Sequence, residues 1–173
     1  MGRFMNHKKW VVVLALIATA LILTHLPVSE ADAAVSASDF LIEGSTLTKY
    51  RGTDERVTIP DTVEVVGESA FENNQKVQLV VVPKSVKRMD AYVFWGCDNL
   101  EEVVLGKGLT SVDEYAFSGC TGLKQITIPE NVQSIDAQAF AGCTNLTDIY
   151  IPDTVTSIAD DAFLNCDNVT IHA

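Results

Sequence analysis

Hydrophobic and polar positions repeat along this chain with a fixed period of 23 residues. The same period relates one set of aromatic residues and one set of turn residues: Phe71, Phe94, Phe117, Phe140 and Phe163, and Pro60, Pro83, Gly106, Pro129 and Pro152. A period of this length predicts a solenoid, because one repeat cannot bury its apolar face except against its neighbours.

The fourth repeat shows what each coil contains. Residues 123–128 alternate between apolar and polar and end at Pro129, which predicts a short strand. A second extended piece follows, and Asp136 is placed to cap one helical turn. Gly142 and Asn145 suit tight bends. We expect the following side chains to face inward: Val132, Ile135, Ala139, Phe140, Cys143, Leu146, Ile149 and Ile151.

The two ends of the repeat block differ from its middle. Residues 40–42 and 47–50 form a predicted hairpin around Glu43 and Gly44, and we expect this hairpin to cap the first coil. The last repeat stops at Ala173 without a matching cap. Its apolar edge is therefore expected to stay exposed or to pair with a second copy of the chain.

The first 33 residues are typical of an export signal. Basic residues at Arg3, Lys8 and Lys9 precede an uncharged apolar run from Trp10 to Leu23. Cleavage is expected before Ala34, with cleavage after Ala37 or retention as a membrane anchor as alternatives. The apolar run is shorter than the ~20 residues that a spanning helix needs. The predicted divisions are a signal peptide at 1–33, a leader with a capping hairpin at 34–56, and the repeat domain at 57–173.

Composition narrows the class of partner. The chain of 173 residues carries a net charge of −11, and its sequence pI is about 4.5. Loss of the predicted signal removes three basic and two acidic residues, which leaves 9 basic and 21 acidic residues and a net charge of −12. Such acidity argues against nucleic acid or an anionic membrane as the main partner. We expect a protein that is secreted or held at the cell surface, without membrane contact after signal removal.

The repeat pattern of Ile-Pro, Val, Ile, Ala-Phe, Cys and Leu resembles the bacterial surface leucine-rich repeats of the BspA type, also called the Treponema pallidum type. The resemblance covers residues 57–171. It implies a right-handed leucine-rich-repeat solenoid with five 23-residue repeats, a parallel sheet on one side and short helical turns on the other. Members serve as adhesins, as surface proteins and in unassigned roles, and the resemblance supplies no catalytic residue.

Four evenly spaced cysteines suggest disulfides or a metal site at first. Because Cys97, Cys120, Cys143 and Cys166 occupy one repeat position, they should stack in a column and point the same way. Buried packing thiols are the favoured interpretation, while disulfides between neighbouring coils stay open. A metal site would need convergent ligands, so no metal or cofactor is predicted.

The sequence gives similarly little support for a catalytic site or a calcium site. Removal of the predicted signal leaves His172 near the end of the chain, which does not suit a catalytic triad. The column of Asp90, Asp113 and Asp136 could be a calcium site, but turn capping explains it with fewer demands. The sequence predicts a protein that is not an enzyme.

Some residues break the repeat without an evident structural need, and these are the candidates for binding. Tyr92 and Tyr115 share an outward column, and Trp95 stands where other repeats have Glu, Ser, Ala or Leu. On the outward face of the strands, Leu79, Val81 and Val104 form an apolar strip, with Tyr150 farther along. Exposed aromatic residues are enriched at binding sites, although they can also simply shield the core.

A basic patch interrupts the acidic surface in the second and third repeats. It consists of Lys84, Lys87, Arg88 and Lys107, and it would suit an acidic protein or a sulfated glycan unless it is only a solvated face. The predicted function is protein–protein binding, and the family resemblance suggests adhesion to host or neighbouring cells as its specific form. The alternatives are a glycan-binding module and a structural unit that self-associates through its last coil.

Overall fold

The computed structural model describes residues 36–173. The predicted export signal lies outside this range. The described residues contain one 3-10 helix, Ala37–Asp39, and thirteen short strands. The strands are β1 (Phe40–Glu43), β2 (Thr46–Tyr50), β3 (Arg56–Thr58), β4 (Val65–Val66), β5 (Leu79–Val81), β6 (Arg88–Met89), β7 (Glu102–Val104), β8 (Ser111–Val112), β9 (Gln125–Thr127), β10 (Ser134–Ile135), β11 (Asp148–Tyr150), β12 (Ser157–Ile158) and β13 (Thr170–His172).

The solenoid predicted from the 23-residue period is confirmed. Each of five coils holds a three-residue strand, a corner at the proline position and a two-residue strand, and then a run of turns. We number the coils 1 to 5 by their phenylalanines, Phe71 to Phe163. Long strands alternate as expected: in β9, Ile126 is buried between exposed Gln125 and Thr127. The predicted inward set of the fourth repeat is buried throughout.

The strands form two rows, one on each side of the proline corner. The three-residue strands, which we call the long strands, pair in parallel as β3–β5–β7 and β9–β11–β13. The two-residue strands, which we call the short strands, form the second row together with β2 of the hairpin, and they pair in parallel as β2–β4–β6 and β8–β10–β12. The expected single parallel sheet is therefore divided into two rows, and each row is interrupted once. Both interruptions flank residues 105–110, the corner of coil 3.

The third side of each coil is built from turns instead of helices. Backbone N–H groups here bond within the turn, as from Trp95 to the Tyr92 carbonyl (3.1 Å), and onward to the next coil, as from Phe94 to Ala116 (2.8 Å). The same forward bonds join coil 3 to coil 4, as from Phe117 to Ala139 (2.8 Å). The turn side is thus continuous where the strand rows are interrupted.

The predicted aspartate caps are wrong, because none of the three carboxylates accepts a hydrogen bond from a backbone N–H in the described residues. The Asp113 carboxylate accepts a bond from Ser111 Oγ at 2.6 Å, and Asp90 pairs with the Arg88 guanidinium at 2.6 Å. These two aspartates therefore each bind a side chain two residues earlier, on the second strand of their own coil. Burial raises the pKa of Asp113, and that effect exceeds the lowering by the Ser111 hydroxyl.

The core is a column of stacked rings that runs the length of the repeats. Phe117 lies 5.3 Å from Phe94 and 5.2 Å from Phe140 between ring centroids, so the core continues across the interrupted rows. The predicted hairpin is present as antiparallel β1 and β2, and β2 pairs with β4 in parallel. Its Tyr50 stacks on Phe71 at 5.0 Å and so extends the column beyond the first repeat.

Among residues 36–173, no helix has both the length and the apolar content needed to cross a membrane.

Candidate binding surface

The break between β7 and β9 accompanies a close backbone approach between coils 2 and 3. Gly106 and Gly108 lie against carbonyl groups of Pro83, Lys84 and Val86 in coil 2, with no room for a Cβ atom. In coils 1, 2, 4 and 5 the N–H that follows the long strand bonds to the next coil, as from Ile128 to the Tyr150 carbonyl (2.9 Å). In the described residues Leu105 makes no such bond. Coil 3 therefore packs closely on coil 2 at this corner, and the backbone bond from Leu105 to coil 4 is missing.

Tyr92 and Tyr115 are held in a backbone conformation that bulky residues rarely adopt. Their φ angles are 60° and 56°, and Ser69 and Gln138 in the same column have φ of 58° and 53°. Coils 1 to 4 therefore share a left-handed conformation at this position, at a cost for residues other than glycine and asparagine. The two tyrosine rings stack with centroids 4.8 Å apart and planes 4° apart.

Trp95 belongs to the same turn as Tyr92, because its N–H bonds to the Tyr92 carbonyl. Its side chain is 39% exposed, whereas Ala141 at the equivalent position in coil 4 is buried. We call Tyr92, Trp95 and Tyr115 the aromatic surface. All three lie on the turn side of coils 2 and 3.

The predicted apolar strip is on the outward face of one three-stranded sheet. Val81 and Val104 are direct partners in β5 and β7, and Val104 is 38% exposed. Leu79 is two residues before Val81 and partly buried. The structure does not add Tyr150 to this strip, because β11 belongs to the other sheet of the row.

Tyr150 instead stacks on His172, with ring centroids 4.5 Å apart. His172 Nε2 lies 2.8 Å from Asp148 Oδ1, which places the carboxylate, the imidazole and the phenol on neighbouring strands β11 and β13. The hydrogen bond with His172 lowers the pKa of Asp148. Both side chains are about 40% exposed, so this contact is a surface pair.

Three of the four residues of the predicted basic patch line one groove at the proline corner. Lys84, Lys87 and Lys107 share it with Asp61, Ser85 and Gly108. The fourth residue, Arg88, lies outside the groove lining and pairs with Asp90.

The four cysteines are buried free thiols in one column. Each Sγ donates a hydrogen bond to the carbonyl of a phenylalanine 26 residues earlier, at 3.0 to 3.1 Å, as in Cys120 to Phe94. Burial raises the pKa of Cys97 to about 12 and also raises the pKa of Cys120. At the end of the column, Cys166 is the least buried of the four thiols.

Comparison with known proteins identifies the family. The model of the BspA type leucine rich repeat region matches six copies over residues 49–170. The chain belongs to the BspA-type leucine-rich repeat family. The matched range starts within the hairpin, in agreement with Tyr50 in the aromatic column. A search of curated proteins found no match.

Solved structures of bacterial leucine-rich repeat proteins share the fold. A leucine-rich cell surface protein from Faecalibacterium prausnitzii is 34% identical, with a TM-score of 0.71 over 73% of this chain and 34% of the other. A leucine-rich repeat protein from T. pallidum is 27% identical, with a TM-score of 0.75 over 79% and 69%. This BspA-type chain thus spans about a third of the length of the F. prausnitzii protein.

The last coil of this BspA-type solenoid is the least covered part of its core. Exposed apolar side chains gather here, and Phe163 is only partly buried. The most exposed are Ile158, Leu164 and Ile171. Self-association through this coil remains a prediction.

Sequence reasoning missed two features of the surface. Ser85 Oγ is a buried side-chain oxygen without a hydrogen-bond partner in the described residues, and Ser85 lines the lysine groove. The left-handed backbone of Tyr92 and Tyr115 was also missed. The sequence signal for this backbone conformation is weak, because the five repeats have Ser, Tyr, Tyr, Gln and Asp at this position and none has glycine.

Proposed function

We propose that this protein is an exported, non-enzymatic module that binds another protein through the aromatic surface of Tyr92, Trp95 and Tyr115. BspA-type repeats form scaffolds for protein interaction, and the similar F. prausnitzii protein is described as a cell surface protein. Adhesion to a host or neighbouring cell is the specific form that we propose.

The observation that carries the proposal is the strained tyrosine pair. A bulky residue with positive φ is a conformational outlier, and strain of this kind is concentrated at functional sites. The position tolerates smaller or more flexible residues, because Ser69 and Gln138 occupy it in other coils with the same φ. The left-handed backbone at this position therefore does not itself require tyrosine.

The neighbouring tryptophan supports the same surface. Trp95 exposes 39% of its area on the turn that also holds Tyr92. Tryptophan and tyrosine are the residue types that most often dominate binding energy in protein interfaces, because they offer large area at low conformational cost. Aromatic residues on two adjoining coils are suited to a flat protein epitope.

The test uses substitutions that the repeat already accepts. Tyr92→Ser, Tyr115→Gln and Trp95→Ser introduce residues found at equivalent positions of other coils, namely Ser69, Gln138 and Ser118. Purified parent and variant are compared for binding to intact bacterial cells and to immobilised host matrix proteins, with protease-treated samples alongside. We expect at least tenfold weaker binding by the triple variant, since hot-spot losses of ~2 kcal/mol or more are typical.

The matched control is Tyr150→Thr, which removes another exposed aromatic residue and introduces the residue of Thr127 in the same column. It should bind like the parent. Equal binding by parent and triple variant, or binding that survives protease treatment of the target, would contradict the proposal.

A further inference from the structure

The lysine groove lies at the proline corner between the two strand rows, on coils 1 to 3. It has a volume of about 430 Å³ and is lined by Asp61, Lys84, Ser85, Lys87, Lys107 and Gly108. Asp61, Lys84 and Lys107 follow the proline position of three successive coils. The groove is therefore a product of the repeat, and its charge depends on which residues each coil supplies.

Two of its three ammonium groups are unpaired by protein. Among residues 36–173, no carboxylate lies within ion-pair distance of Lys84 or Lys87. Lys107 Nζ is 3.7 Å from Glu130 Oε2, and both side chains are about 80% exposed, so this pair is weak. Three cations thus face one groove on a chain of net charge −11.

A second groove at the same corner serves as an internal comparison. It lies on coils 4 and 5, has a volume of about 320 Å³, and is lined by Glu130, Asn131, Gln133, Thr154 and Thr156. It contains no lysine, although its residues occupy the same repeat positions as Lys107, Gly108 and Lys87 in the first groove. The repeat therefore does not need lysines at this corner.

Ser85 adds a hydrogen-bonding group. Its Oγ is buried and has no partner in the described residues, which costs free energy in the free protein. Rotation of the Ser85 side chain towards the groove would let the hydroxyl recover that cost by donating to a bound anion. Thr62 and Thr154, at the same repeat position, are exposed.

We propose that the lysine groove binds a sulfated polysaccharide and holds a sulfate group between Lys84, Lys87 and Lys107, with the Ser85 hydroxyl as a further donor. The lysine ammonium groups act as point charges that together can attract several oxygens of one sulfate, and Arg88 is engaged by Asp90, so the groove lining offers no free guanidinium. Asp61 on the wall opposes a doubly charged phosphate more than a singly charged sulfate. This site is separate from the aromatic surface.

Binding to immobilised heparin at physiological ionic strength tests the proposal. The variant K84Q/K87Q/K107Q should bind about tenfold more weakly or worse, and its affinity should depend less on salt. The control R51Q/K76Q/K124Q removes the same number of positive charges from exposed side chains outside the groove, and it should bind like the parent. Asp61→Asn should strengthen binding by removing a like charge from the wall.

One further variant and three competitor polymers complete the test. Ser85→Ala should weaken heparin binding while leaving the free protein at least as resistant to urea, because it removes an unpartnered hydroxyl. Desulfated heparin, polyglutamate and polyphosphate should compete poorly. Equal loss in both triple variants, equal competition by any of these polymers, or no binding of the parent to heparin would overturn the proposal. None of these outcomes depends on Tyr92, Trp95 or Tyr115.

Discussion

Gly106 packs so closely against Pro83 that a Cβ atom on Gly106 would overlap the Pro83 carbonyl group. Proline occupies this position in the other four repeats. Sequence comparison between repeats would therefore recommend Gly106→Pro as a stabilising change. We expect the opposite, because the proline ring would push coils 2 and 3 apart, at a cost of about 1–3 kcal/mol.

Urea unfolding measures this effect, and the reverse substitution at the same repeat position, Pro152→Gly, serves as the control. Pro152 lies at the same repeat position in coil 5, and its loss should cost under ~1 kcal/mol through the unfolded chain. A Gly106→Pro variant as stable as the parent would show that the corner of coil 3 has room for a side chain.

The aromatic column predicts an uneven sensitivity to truncation. Phe117 is fully buried and stacks on a ring at each side, whereas Phe163 is partly buried and stacks on Phe140 alone at 5.4 Å in the described residues. Phe117→Ala should cost about 3–5 kcal/mol because it leaves a cavity that rigid neighbours cannot fill. Phe163→Ala should cost clearly less.

Chemical denaturation of both variants tests this expectation under identical conditions. Equal losses at the two positions would mean that the last coil is packed as tightly as the middle of the solenoid.

The sequence was sufficient for the fold because the period places identical residue types in identical environments. Phe71 to Phe163 and the cysteine column could each be assigned to the interior from spacing alone. The two strand rows and their breaks could not, because they depend on how the backbones of neighbouring coils approach one another in space, as Gly106 approaches Pro83. For the surface, Lys84, Lys87 and Lys107 were found as a charge reversal, but the unpartnered hydroxyl of Ser85 has no signature in residue type.

The cysteine column predicts one reactive thiol. Cys166 is the least buried of the four, whereas burial raises the pKa of Cys97 and Cys120. Because the thiolate is the reactive form, a thiol reagent at mildly alkaline pH should modify Cys166 first. The other three should react only after unfolding.

Timed thiol titration with mass mapping checks this order. Cys166→Ala should abolish the fast phase, while Cys97→Ala should leave it unchanged. Fast modification of Cys97 in the folded protein would contradict the burial of the column.

Acid should loosen the last strand before it unfolds the solenoid. The hydrogen bond with His172 holds the pKa of Asp148 below its ordinary value of 3.8. A carboxyl whose pKa is lowered by folding stabilises the folded chain fully above that ordinary value, and this stabilisation is lost as pH falls through the lowered pKa. We therefore expect β13 to lose order below about pH 4, while the middle coils remain folded.

Amide hydrogen exchange across an acid series follows this transition at Thr170, whose N–H bonds to the Thr147 carbonyl at 2.7 Å, and at Ile151, which bonds to the His172 carbonyl at 2.8 Å. In Asp148→Asn the acid-dependent step at these amides should disappear, because the group that titrates is gone. Asp153→Asn removes an exposed carboxylate from the same coil and should keep the step. If Asp148→Asn shows the parent's acid dependence, another carboxylate holds β13, and the contact with His172 does not contribute to its order.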